Sequence, residues 1–158
     1  MEEKTNAIRI LESHKCEYIY HIYETEKALS AEEISEKLNI ERERVFKTLV
    51  TVAPSKKNYV FLVPAQCELD LKKAAASVKE KSLSMVKQDT LFPLTGYVHG
   101  GCSPIGMKKQ FVTVIDKSAE NFEKIVFSAG KIGRQVEMSL DELKKAVKFS
   151  LFPVSKEK

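Results

Sequence analysis

Residues 96–109 read GYVHGGCSPIGMKK, and four of the chain's six glycines fall within these fourteen positions. Such a stretch is a loop, because glycine supplies backbone geometries that other residues avoid and proline fixes φ and removes a donor. Three chemistries are open to it. A phosphate cradle of the GxxxxGK[ST] kind must lead into a helix. Here Gly106 is followed by Met107-Lys108-Lys109-Gln110 and then a strand pattern, which argues against nucleotide hydrolysis. His99 and Cys102 suggest a nucleophilic pair, but nucleophile and base must meet within hydrogen-bond reach, which local spacing does not establish. The third chemistry fits best. Gly100 and Gly101, on a tight turn with Pro104, can present consecutive backbone N–H groups to a carbonyl oxygen or an oxyanion. Ser128-Ala129-Gly130-Lys131 offers either a second such wall or an ordinary turn.

Lys47 is the other anomaly. It stands in the middle of VFKTLVTVA (residues 45–53), a strand pattern that is apolar on both faces. Alternation sets it with Val45 and Leu49, while Phe46, Thr48, Val50 and Val52 share the opposite face. An ammonium there either snorkels at a sheet edge or meets an anion such as a phosphate or carboxylate. Tyr23 ends an earlier strand pattern on the face of Ile19 and His21, where it either packs or lines a site. His14, Cys16 and His21 lie on two elements with no recognised metal-ligand spacing, so no metal is expected.

These residues need elements to hold them. Thr5 caps a helix running to about residue 13, with Ile8, Ile10 and Leu11 as its apolar stripe. Residues 17–23 (EYIYHIY) read as a strand. Ser30 and Glu33 form a capping box for a helix ending near Asn39. Residues 45–53 and 59–63 read as a hairpin of central strands across a polar turn. Residues 69–78 are helical by propensity. A short helix is predicted over 82–87, with a turn before Pro93. Residues 111–116, 124–128 and 134–138 read as strands, with a turn at 130–133. Ser139 and Glu142 form a second capping box, for a helix to about Val147, and 149–154 is a last extended piece. Strand-to-strand steps dominate, so the fold class is α+β with a mixed, largely antiparallel sheet in a single domain.

The 158 residues suit one domain, with 43% hydrophobic side chains for a core and 30% charged for a surface. The tail 155–158 is expected to fray. A net charge of +4 does not by itself announce a nucleic-acid binder, and the clusters Arg42/Arg44/Lys47, Lys56/Lys57 and Lys108/Lys109/Lys131/Arg134 also suit solvated faces. Three cysteines without a CxxC pair argue against a disulfide framework. Met1-Glu2-Glu3-Lys4 opens into a charged amphipathic segment rather than a signal peptide, and no apolar run is long enough to span a membrane. A cytoplasmic location is expected.

Taken together, Phe46-Lys47-Thr48-Leu49, Thr95-Gly96-Tyr97-x-x-Gly100-Gly101-x-Ser103-Pro104-x-Gly106 and Ser128-x-Gly130-Lys131 resemble the YbaK/EbsC family of aminoacyl-tRNA deacylases. These are freestanding relatives of the editing domain of some bacterial prolyl-tRNA synthetases. The resemblance covers nearly all of residues 1–158. It implies a barrel-like sheet surrounded by helices, no cofactor, and removal of a mischarged amino acid from tRNA(Pro). It implies a partner in the tRNA 3′ end and allows one in a prolyl-tRNA synthetase, but none in DNA or membrane. The subgroup it is most similar to clears cysteine, the substrate's own thiol attacking the ester; alanine is the rival, and a non-catalytic tRNA- or synthetase-binding module is the alternative class. By resemblance Lys47 contacts the terminal adenosine or its phosphate, Thr48 assists, and Tyr23 lines the pocket. Gly100 and Gly101 face the substrate carbonyl, Ser103 and Pro104 shape the loop, and Ser128 stands on the opposite wall. Cys102, His99, Ala129 and Gln135 depart from the family pattern, Gln135 replacing an acidic residue.

Overall fold

Residues 46–52 and 58–64 alternate or run apolar because both faces of their strands are covered, and they are the middle of the protein. The computed structural model describes residues 4–158. Met1, Glu2 and Glu3, part of the opening read as no signal peptide, lie outside the described residues. In chain order the elements are α1 (Asn6–Ser13), β1 (Ile19–Ile22), α2 (Ala31–Leu38), β2 (Phe46–Val52), β3 (Asn58–Pro64), β4 (Glu68–Leu69), α3 (Leu71–Ser77), β5 (Ser84–Met85), α4 (Gln88–Thr95), β6 (Val112–Asp116), β7 (Ile125–Lys131), β8 (Arg134–Met138), α5 (Leu140–Leu143), β9 (Ser150–Phe152) and β10 (Ser155–Lys156).

The fold is α+β, with antiparallel pairs in the majority. A five-stranded sheet has the order β5-β2-β3-β6-β9, a three-stranded sheet the order β1-β8-β7, and β4 pairs with β10. Among the described residues, β3–β6 and β6–β9 are the parallel ladders. The two larger sheets touch at one parallel bridge, Val45 to Val126. The expected barrel is therefore corrected to separate sheets that do not close. The main core fills the space between them with Phe46, Val50, Leu62, Ile105, Ile115, Phe127 and Val136.

Capping chemistry is where the sequence places it. Ser30 accepts from the N–H of Glu33, whose carboxylate accepts from the N–H of Ser30. Thr5 caps α1 and also donates to the carbonyl of Ala129 at 2.6 Å, tying the helix to β7. The second box is half-formed. Ser139 accepts from the Glu142 N–H, but the Glu142 carboxylate takes the Glu17 N–H and Lys145 instead, and α5 stops at Leu143.

Three further expectations are corrected. The helix predicted over 82–87 is the edge strand β5, recruited by Thr51 and Val52 of β2. The turn before Pro93 is α4, which carries Pro93 inside it and ends at Gly96, whose N–H reaches the Phe92 carbonyl. The tail does not fray at Ser155 and Lys156. They pair with Leu69 and Glu68, and the buried Asp116 carboxylate accepts the N–H groups of Val154 and Ser155.

Candidate functional site

Beyond the Val45–Val126 bridge the two sheets part, and a cleft of about 240 Å³ opens between β2 and β7. That is below the roughly 300–1,000 Å³ of pockets for drug-sized ligands, so the cleft suits a small group such as an amino acid. Its walls are largely apolar, from Leu29 and Ile34 on one side to Phe46 and Leu91 on the other. The polar groups come from five separate stretches: Ser30 at the start of α2, Lys47 and Thr48 of β2, His99 and Gly100 of the 96–109 loop, Ser128 of β7 and Gln135 of β8.

Lys47 and Thr48 point to opposite faces of β2, yet both line the cleft because it runs along the strand's open edge. Lys47 forms no ion pair or hydrogen bond among the described residues. Burial lowers its pKa, and the positive charge of Lys158 lowers it further, against smaller opposing effects of Cys67 and Glu68. The ammonium is thus held partly desolvated and without a counter-ion, a state that an incoming anion would relieve. Thr48 is similarly unsatisfied: its Oγ1 is buried and without a hydrogen-bond partner.

Gly100 also lines the cleft. Val98 to Gly101 form a turn closed by the Gly101 N–H to the Val98 carbonyl at 3.0 Å, with Gly100 third at φ +85°. This is the type II arrangement that calls for glycine. A Cβ on Gly100 would stand 2.6 Å from the Cβ of Ala28 on the facing wall.

The other expected site residues do not reach the cleft. The Gly101 N–H is already engaged by Val98, so of the two glycines only Gly100 faces the cavity; Gly101 instead packs on the Lys131–Ile132 backbone. Ser103 is fully buried and its Oγ accepts the Ile105 N–H, so it and buried Pro104 brace the loop from behind. Tyr97 adds a brace by donating to the Ile105 carbonyl. Tyr23 stands behind the wall, its Oη accepting from Gln135 Nε2 at 3.1 Å; burial pushes its phenol pKa up.

Gln135, like Ser30, is a polar lining residue that sequence reasoning did not assign to the site. The alternation Gln135-Val136-Glu137-Met138 carried the signal, since it gives β8 one polar face. That face shares registers with Ser128 of β7 and His21 of β1. Farther along, Glu137 pairs with His21 at 2.8 Å and with Arg44, which explains His21 without a metal. Ser128 accepts the Gly130 N–H at 3.0 Å across a bulge, leaving its hydroxyl proton for the cleft.

Cys102 lines the cleft too, but as a thiol: burial pushes its pKa up to about 12. At neutral pH it is protonated and a poor nucleophile.

Residues 25–146 match the family described as aminoacyl-tRNA editing domain. The chain belongs to this family. The editing domain is also 46% identical over 139 residues to an Enterococcus faecalis protein named "Putative Cys-tRNA(Pro)/Cys-tRNA(Cys) deacylase EbsC", covering 87% of this chain and 85% of that one. It is 26% identical over 129 residues to a proline–tRNA ligase of Lactobacillus delbrueckii subsp. bulgaricus, of which it spans 23%. A solved structure titled as a putative trans-editing enzyme for prolyl tRNA synthetase superposes with a TM-score of 0.82 at 20% identity, covering 98% of this chain and 99% of that one. That likeness is one of fold. No helix among the described residues is long and apolar enough to cross a membrane.

Proposed function

We propose that residues 1–158 form one trans-editing deacylase that removes cysteine from mischarged tRNA(Pro). The observation that carries this reading is the pairing of Lys47, an ammonium without a counter-ion, with Cys102, a cleft thiol too buried to ionise. The site holds an anion at one end and supplies no protein nucleophile at the other. Lys47 takes the phosphate of the tRNA's terminal adenosine. Thr48, Gly100 and Ser128 surround the ester.

The substrate then supplies the missing nucleophile. Its thiol loses its proton and attacks its own ester carbonyl; a C–S bond forms. The ester C–O bond breaks, the ribose oxygen takes up a proton, and a cysteine β-thiolactone leaves the free tRNA end. Water opens the thiolactone in a second step. Holding thiol and carbonyl together provides the proximity term, up to about 7–11 kcal/mol when orientation is ideal. A prolyl-tRNA synthetase bearing the mischarged product is the partner that would present this 3′ end.

The test is multiple turnover on Cys-tRNA(Pro) and Ala-tRNA(Pro) at sub-stoichiometric protein. Many equivalents of cysteinyl ester should be cleared, faster than alanyl ester. Faster clearing of alanine would make the protein an alanyl deacylase, and binding without turnover would make it a tRNA-end module.

Cys102→Ser is expected to keep kcat/KM within about threefold of the native value, because a thiol with its pKa near 12 contributes no thiolate at pH 7. The pH profile should likewise lack any step that this substitution removes. Loss of all activity in the serine variant would restore a protein nucleophile.

A further inference from the structure

The outer edge of β2 has a gap one residue long. The Ala65 N–H donates to the Val45 carbonyl, so Val45 is a hydrogen-bonded partner of β3. With β2 and β3 in register from Phe46↔Pro64 to Val52↔Asn58, Lys47, Leu49 and Thr51 also turn their backbone groups towards β3. Phe46, Thr48 and Val50 turn theirs the other way. There the Val50 carbonyl takes the Val86 N–H, and β5 covers Thr51 and Val52. At the other end β7 meets the strand only through the Val45–Val126 bridge. Thr48 lies between, and no ladder covers its backbone. By that register its N–H and C=O turn away from β3, Thr48 itself lines the cleft, and its Oγ1 is buried without a partner.

Resting on the deacylase reading, we propose that the aminoacyl group of the substrate fills this gap as a one-residue antiparallel strand partner of Thr48. In a hydrogen-bonded antiparallel pair the two residues exchange both N–H···O bonds. The Thr48 N–H donates to the ester carbonyl oxygen, and the Thr48 carbonyl accepts from the substrate's α-amine. Among the described residues no carboxylate lines the cleft, so a backbone carbonyl is a fitting acceptor for that amine. The pairing takes over the carbonyl-binding role that Gly101, with its N–H engaged by Val98, cannot play.

The same geometry aims the substrate side chain. Partners across an antiparallel pair project to one face. On the Thr48 face lie Phe46 and Val50, which cluster with Leu91 and Cys102, and both of the latter line the cleft. The substrate side chain therefore points towards Leu91 and Cys102, alongside the Thr48 hydroxyl, which accepts from its thiol. Cys102 becomes the floor that limits side-chain size.

Two variants of the full chain test this. In the first, the Thr48 residue is replaced by its α-hydroxy analogue, so that a backbone ester oxygen replaces the N–H. The melting temperature should fall only slightly, because that N–H belongs to no ladder and only the Lys47 carbonyl, now an ester and a weaker acceptor, loses strength towards β3. Affinity for the stable analogue 3′-cysteinylamino-3′-deoxyadenosine should fall at least tenfold, and kcat/KM on Cys-tRNA(Pro) roughly 100- to 1,000-fold, as when an oxyanion donor is removed. The second is Thr48→Val, which should melt at or above the native temperature, since it removes an unsatisfied buried hydroxyl, while kcat/KM falls roughly tenfold. Native affinity and activity in the ester variant would overturn the pairing, and so would a large fall in melting temperature there, beyond what a weakened Lys47 carbonyl accounts for, which would show the N–H bonded within the fold. A lowered melting temperature in Thr48→Val would give its hydroxyl a structural role instead. If the native protein binds the analogue through Thr48 but does not turn over, the deacylase reading fails and the pairing stands.

Discussion

Replacing Lys47 with alanine should lower kcat/KM on Cys-tRNA(Pro) by about 100-fold or more while leaving the protein at least as stable as before. Hydrogen bonds to charged groups contribute about 1.5–3 kcal/mol, and the substrate anion in the variant would lose its one cationic contact in the cleft. The stability half follows from the sign of the pKa shift. Burial lowers the Lys47 pKa below its ordinary 10.5, so the folded state disfavours the charged form. At pH 7 the side chain is charged both folded and unfolded, and folding therefore bears this cost. The cost is relieved only as pH rises through the lowered pKa towards 10.5. Alanine removes it at every pH. Thermal melting at pH 7 alongside initial rates would check both halves. An active Lys47→Ala variant, or one that is inactive because it is unfolded, would defeat the assignment of Lys47 as the anion anchor.

Gly100→Ala should be the second most damaging single change. It introduces a Cβ where φ is +85° and where the Ala28 Cβ would lie 2.6 Å away. The left-handed conformation costs a residue with a side chain roughly 1–2 kcal/mol, and the clash must push the two walls apart. A displacement near 1 Å at a site that works by orientation can cost about 100-fold in rate. The expected result is a denaturation midpoint lowered by that strain, together with a kcat/KM drop of about 100-fold. Gly101→Ala provides the comparison: its Cβ would approach the Ile132 nitrogen at 3.3 Å and its backbone has no positive φ, so a smaller loss is expected. Equal rates for native protein and Gly100→Ala would show that this wall is not part of the site.

Local chemistry was legible wherever its cause was local. Thr5 and Ser30 are caps because a hydroxyl meets an N–H three residues on, a relation contained in the sequence. The β2–β3 hairpin followed from two apolar runs and a polar turn. The failures were those in which a distant partner decided. Ser84 and Met85 form a strand because the edge of β2 is present, and Glu142 leaves its capping box because the Glu17 N–H is nearer use. A turn was expected before Pro93, yet α4 runs through it to Gly96.

The site divides the same way. The amino-acid order alone determined that 96–109 is a loop and that Lys47 is a cation among apolar neighbours, because these are statements about residue type and alternation; the strand expected to end at Ser128 instead runs on to Lys131 because its bulged end still pairs with Arg134 of β8. The tertiary structure decided which of their atoms are free. It engaged the Gly101 N–H with Val98, set Tyr23 behind Gln135, buried Cys102 as a thiol and left the Thr48 edge open. Whether a donor or acceptor is available depends on what packs against it from elsewhere in the chain. Two sheets that touch at one bridge and then part supply that decision here.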